Sequence, residues 1–131
     1  MASRIAEYFT DELETWNQQI LSYRREMFEM ENRLAEVINR NTIPNIAELV
    51  EEQQDKLNKI SIRFFQLLDQ FEKQKSLLKK NSDYIEDTAM NTETEKHQNA
   101  LRKFMHHSEK EYIDIKHDCS NFISDTLRNQ K

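Results

Sequence analysis

The chain has 131 residues with no glycine, one proline, one cysteine and a formal net charge of −5. The missing glycine excludes the dinucleotide fingerprint, the P-loop and the EF-hand, because each needs glycine where the backbone turns sharply or approaches a ligand. There is no sustained basic segment and no run of about eighteen apolar residues, so we expect neither nucleic-acid binding nor membrane association. The lone Cys119 fits a reducing, cytoplasmic setting, and the length predicts one domain, residues 1–131.

The first predicted helix covers residues 3–40 and carries nine large side chains in unbroken 3-4 spacing. They are Phe9, Leu13, Trp16, Ile20, Tyr23, Met27, Met30, Leu34 and Val37. Only a helix brings such positions onto one stripe, so this ladder predicts a helix with a buried face. A second stripe at Leu21, Phe28 and Ala35 widens the apolar arc and predicts two neighbouring helices.

The second predicted helix covers residues 44–81, because Pro44 disfavours helix before it and suits a first helical turn. Its ladder is Ile46, Val50, Gln53, Leu57, Ile60, Phe64, Leu67, Phe71, Gln74 and Leu78. The two glutamines interrupt an otherwise apolar stripe. Two interpretations stay open: Gln53 and Gln74 are tolerated at boundary positions, or they are buried and penalise misaligned helix pairings.

The third predicted helix covers residues 92–129, after a connector at 82–91 that is either helix or loop. Its predicted ladder is His97, Leu101, Phe104, Ser108, Tyr112, Ile115, Cys119, Phe122 and Thr126. The extra spacing of four at Ser108–Tyr112 is a stutter, which locally unwinds a coiled coil.

Three helices of similar length with a short first loop predict an all-α, antiparallel up-down-up bundle with coiled-coil-like packing. The stretch from Phe9 to Trp16, Phe-Thr-Asp-Glu-Leu-Glu-Thr-Trp, resembles the first helix of spectrin repeats, three-helix coiled coils with an inward tryptophan. Folding the second helix back on the first places Leu67 or Leu68 opposite that tryptophan. The resemblance extends to architecture and implies no function. The alternative is a dimer in which helices pair between two chains.

The histidines are His97, His106, His107 and His117, and we expect surface or boundary positions for them. A di-metal bundle needs inward carboxylates that these ladders lack, so we predict no metal site, cofactor or catalytic residue. The run His107-Ser108-Glu109-Lys110 resembles histidine phosphotransfer domains, helical bundles with an exposed histidine followed by x-x-Lys. The resemblance implies His107 as the phosphorylated residue, but Glu111 stands where that family has a small residue.

Apolar residues outside the ladders give the strongest functional indication. Phe28, Ile62, Phe65 and Leu68 lie off the predicted seams, and we expect them to form a partner surface. The favoured function is therefore a non-enzymatic scaffold, adaptor or self-association module that contacts protein partners or a second copy of itself. The alternative is a histidine-bearing helical carrier that binds metal or transfers a phosphoryl group.

Overall fold

The computed structural model describes residues 4–40, 43–82 and 92–128. They form three α-helices of 37 residues each, α1 (Arg4–Arg40), α2 (Ile46–Ser82) and α3 (Thr92–Arg128). The helices pack against one another, and the described ranges contain no strand. The predicted all-α bundle of three helices is confirmed, whereas the up-down-up direction and the coiled-coil packing stay predictions. Beyond Ser82, the last residue of α2, the predicted connector lies outside the described residues.

The turn before α2 explains why this helix begins at Ile46 instead of Pro44. Asn45 has a positive φ of 65°, a conformation that asparagine tolerates better than most residues but that no right-handed helix contains. The amide of Ile46 donates to the carbonyl of Ile43 at 3.3 Å. A type II turn requires a positive φ at its third residue and commonly has proline at its second. The proline therefore belongs to this turn.

The chain divides into two compact units, and all three helices contribute to each of them. The first unit comprises Met1–Leu21 and Phe64–His107, and the second comprises Ser22–Arg63 and Ser108–Lys131. The single domain over residues 1–131 stays a prediction.

Burial along α1 and α2 follows the predicted ladders. On α1 every ladder residue is buried except Tyr23, which is partly exposed, and Ala6 extends the stripe by one step. On α2 every ladder residue is buried except Gln53, which is partly exposed. Burying a large apolar side chain contributes about 1.5–3 kcal/mol, so these stripes are the main source of stability. In the first unit, the rings of Trp16 and Phe71 meet with their centroids 5.5 Å apart.

On α3 the predicted ladder is wrong at several positions. The buried residues are Thr94, Gln98, Leu101, Met105, Ser108, Tyr112, Ile115, Cys119 and Ile123. Gln98 and Met105 take the inward positions predicted for His97 and Phe104, and Ile123 takes the one predicted for Phe122. Phe104 is 52% exposed, and His97 and Phe122 are partly exposed. The two consecutive spacings of four lie at Ile115–Cys119–Ile123 and not at Phe104–Ser108–Tyr112.

The geometry of the helix explains this correction. One residue corresponds to a rotation of about 100°, so a shift by one position turns a side chain from the core toward the surface. A stripe stays inward when spacings of three and four alternate. Counting back from Ser108, this alternation gives Met105, Leu101, Gln98 and Thr94. The predicted ladder included Phe104, whereas helical periodicity turns its neighbour Met105 toward the core.

Candidate binding groove and its hydrogen-bond network

Two fully buried glutamines meet in the core of the first unit. Gln74 of α2 donates from Nε2 to Oε1 of Gln98 and to the carbonyl of Thr94, both at 3.1 Å. Gln98 of α3 donates from Nε2 to the carbonyl of Phe9 at 3.2 Å and to Oε1 of Glu12 at 2.9 Å. Each amide nitrogen uses both of its hydrogens, and the hydrogen bonds connect all three helices.

Glu12 of α1 links this network to the surface. Arg102 donates from Nε to Oε2 and from Nη2 to Oε1 of Glu12, both at 2.7 Å, which is a bidentate ion pair. Burial raises the pKa of Glu12, but hydrogen bonds from Arg102 and Gln98 and the positive charge of Arg102 outweigh burial. The pKa of Glu12 therefore lies below its ordinary value of 4.5, and the carboxylate stays ionised at neutral pH.

The two glutamines of the α2 ladder occupy different environments, although the sequence treats them alike. Gln74 is fully buried with its amide saturated by hydrogen bonds. Gln53 is partly exposed, and its Oε1 is buried without a hydrogen-bond partner in the part of the chain that the structure describes. The interpretation that a glutamine penalises misaligned helix pairings requires it to be buried with matched hydrogen-bond partners. Only Gln74 meets this condition.

The network determines which nitrogen of His97 carries a proton. A carbonyl cannot donate, so the atom of Gln74 that faces the Thr94 carbonyl must be its nitrogen. Oε1 of Gln74 then faces Nδ1 of His97 at 2.7 Å, and Nδ1 must be the donor. In the neutral imidazole the lone pair is therefore on Nε2. Within the described ranges, Nε2 has no hydrogen-bond partner.

His97 and Phe104 line a groove between α2 and α3 in the first unit. The groove has a volume of about 420 Å³, and its lining is mostly apolar. The lining residues are Gln66, Leu67, Asp69, Gln70, His97, Ala100, Leu101 and Phe104. The sequence analysis did not predict this groove because it placed both His97 and Phe104 on the α3 ladder. Strict 3-4 alternation back from Ser108 is the signal that would have placed both side chains outside.

The predicted partner-surface residues are exposed to different degrees. Phe28 is 65% exposed, Ile62 60% and Phe65 57%, while Leu68 is partly exposed. Phe28 and Ile62 belong to the second unit, and Phe65 and Leu68 to the first. Their role in partner binding stays a prediction.

The histidines lie at the surface or at its boundary. His97 is partly exposed, whereas His106, His107 and His117 are exposed. Nε2 of His117 lies 3.2 Å from the side-chain nitrogen of Asn121. Residues 4–40, 43–82 and 92–128 contain no group of three or more His, Cys, Asp or Glu side chains that could hold a metal ion. Phosphorylation of His107 stays a prediction.

The second unit has a polar cluster of its own, centred on two stacked tyrosines. The rings of Tyr23 and Tyr112 have centroids 4.8 Å apart. Tyr23 donates to Glu109 at 2.7 Å, and Tyr112 donates to Glu26 at 2.8 Å. Burial, followed by the hydrogen bond to Glu109 and by nearby negative charge, raises the pKa of Tyr23 to about 12. Burial and the hydrogen bond to Glu26 also raise the pKa of Tyr112. Both phenols are therefore neutral donors at physiological pH, and we assign the cluster to packing.

Comparison with protein-family models, curated proteins and solved structures finds no match for this chain. None of the helices in the described part of the chain has an apolar stretch that would span a bilayer.

Proposed function

We propose that the chain is a non-enzymatic scaffold, adaptor or self-association module that acts through protein–protein contacts. The observation that carries this proposal is the placement of Phe104. The bundle buries Gln98 and Met105 on α3, while a larger aromatic side chain stays half exposed at a mostly apolar groove. Covering apolar groups that are exposed in this way releases water and contributes favourably to association with a partner.

The polar groups of the first unit support the same proposal. Gln74, Gln98 and Glu12 hydrogen-bond to one another or to Arg102 and thereby connect the helices. Catalytic acids and bases need access to a substrate, and these side chains are committed to internal partners. Antiparallel, coiled-coil-like packing and a cytoplasmic setting are part of the proposal. The buried thiol of Cys119, whose pKa is raised by burial, is consistent with a structural cysteine.

Sedimentation equilibrium combined with affinity capture tests this function. We compare the natural chain with a variant carrying Phe104→Gln and Phe28→Gln, one substitution in each unit. Both side chains are more than half exposed, so the variant should keep its helical content and unfolding midpoint. We expect the natural chain to self-associate or to retain a defined protein, and the variant to lose that association. A strictly monomeric chain that retains nothing beyond the background of the variant would overturn the proposal.

A further inference from the structure

We propose that the groove between α2 and α3 binds an arginine side chain presented by a partner protein. This inference rests on the proposed function and names the chemistry that the partner offers. The groove combines an apolar floor, an exposed aromatic ring and polar groups that accept hydrogen bonds. Its volume of about 420 Å³ lies within the range of ordinary ligand pockets and accommodates one long side chain.

The polar groups at the groove favour a cationic donor. Asp69 lines the groove as a carboxylate, which accepts hydrogen bonds only. His97 commits Nδ1–H to the buried Gln74, so the neutral form of its imidazole offers a lone pair at Nε2. The amides of Gln66 and Gln70 can also accept. No lysine or arginine side chain is among the residues that line the groove. Charge and hydrogen-bonding capacity are thus complementary to a positively charged donor.

Asp69 already forms an ion pair on its own helix, and an incoming arginine must compete with that pair. Lys73 lies 3.1 Å from its carboxylate, and both side chains are about two-thirds exposed. Such an exposed ion pair contributes little, because water screens the charges and two long side chains lose conformational freedom. An incoming guanidinium can therefore compete for this carboxylate at small cost.

Arginine fits the groove better than the other side chains that carry donors. Its planar guanidinium stacks on an aromatic face such as Phe104 and still presents several N–H groups at its edge. The ammonium group of lysine is compact and strongly hydrated, which disfavours transfer to an apolar groove. Tryptophan and tyrosine offer one donor each and no charge for Asp69. The apolar floor at Leu67 and Leu101 suits the methylene groups of an arginine side chain.

The test is an NMR titration of the full chain with N-acetyl-arginine N-methylamide as the probe. The citrulline analogue keeps the shape of the arginine side chain but removes its charge. The lysine analogue keeps the charge but lacks the planar guanidinium group. We expect the arginine probe to shift the imidazole resonances of His97 and the ring resonances of Phe104. We expect it to bind about tenfold more tightly than the citrulline analogue, which loses both the ion pair and the cation–π contact.

Variants identify the groove as the binding site. Phe104→Leu and Asp69→Asn should each weaken arginine binding about two- to fivefold. Phe65→Leu is the matched control, since Phe65 has similar exposure in the same unit but does not line the groove. Equal binding of the arginine, lysine and citrulline probes, or no binding at all, would overturn the inference. So would ring shifts at Phe104 that depend only on chain concentration, because a second copy would then occupy the groove.

The outcomes for the groove and for the proposed function are separable. If the chain associates with a protein partner and Phe104→Gln abolishes that association, but no arginine probe binds, only the inference fails. If the probe binds while the chain remains monomeric and captures no partner, the proposed function fails and the groove is a guanidinium site of another kind.

Discussion

The buried, hydrogen-bonded pair Gln74 and Gln98 of the first unit leads to a quantitative prediction about the free energy of unfolding. Methionine matches glutamine in length and lacks branching, so Gln74→Met and Gln98→Met change polarity with little change in volume. In Gln74→Met, Oε1 of Gln98 loses its donor within a fully buried site. In Gln98→Met, one N–H of Gln74 loses its acceptor. An orphaned buried polar group costs about 1–3 kcal/mol, so each single variant should lose about that much free energy of unfolding.

The double variant should be far less destabilised than the sum of the two single variants. With both amides replaced, neither orphaned group exists, and Glu12 keeps its bidentate pair with Arg102. The carbonyls of Phe9 and Thr94 lie inside helices and keep their helical hydrogen bonds. Nδ1 of the partly exposed His97 can turn to water. We expect the double variant to lie within about 1 kcal/mol of the natural chain, which gives a coupling energy of about 1–3 kcal/mol.

Urea unfolding followed by far-ultraviolet circular dichroism measures all four free energies of the cycle. The slopes with denaturant should agree among the variants, so that differences in midpoint report stability. Gln53→Met is the matched control, since it changes the same residue type on the same helix at a side chain whose buried Oε1 has no hydrogen-bond partner among the described residues. It should change stability by no more than about 0.5 kcal/mol, or increase it. Additive losses in the double variant, or single variants as stable as the control, would refute the reasoning about this network.

Four other substitutions test the core, a tyrosine hydrogen bond and the ion pair. Leu57→Ala should cost about 2–5 kcal/mol because Leu57 is 1% exposed, whereas Leu49→Ala, at a position 40% exposed, should cost less than about 1 kcal/mol in the same unfolding assay. Tyr112→Phe should cost about 1–2 kcal/mol through the lost hydrogen bond to Glu26, and an unchanged midpoint would contradict that bond. The pKa of Glu12 is lowered in the folded chain, so its ionised carboxylate stabilises the fold. The difference in free energy of unfolding between the natural chain and Glu12→Gln should therefore be largest above pH 4.5, the ordinary pKa. It should shrink as the pH falls below this value. A difference that stays constant through this acid range would exclude the ion pair as its source.

The sequence alone was sufficient to predict the three helices and the buried stripes of α1 and α2. The ends of the helices fall within two residues of the predicted positions, because the ladders and the turn at Pro44 are local features. On α1 and α2 apolar residues also stand beside the ladders, but a stripe shifted by one residue would turn mostly polar side chains inward. The stripe therefore has only one solution, and the structure buries it.

The sequence alone did not predict which residues of α3 are buried, because polar and apolar residues alternate as candidates for its inward stripe. Phe104 and Met105 are both apolar neighbours, and hydropathy alone favours the larger ring. Gln98 faces the core because partners on the other two helices satisfy its amide. The amino-acid sequence alone does not show those partners, because the hydrogen bonds join residues that are far apart in the chain. The groove was missed for the same reason.

Site-specific photo-crosslinking from position 104 tests most directly whether this chain acts through contacts made at the groove. Phe104 is replaced by p-benzoylphenylalanine and the cells that express the chain are irradiated. Leu77, which is 45% exposed in the same unit but does not line the groove, is replaced in the same way as the control. We predict a discrete adduct between position 104 and another protein molecule, and no such adduct from position 77. The absence of an adduct from position 104, or the same adducts from both positions, would contradict the claim.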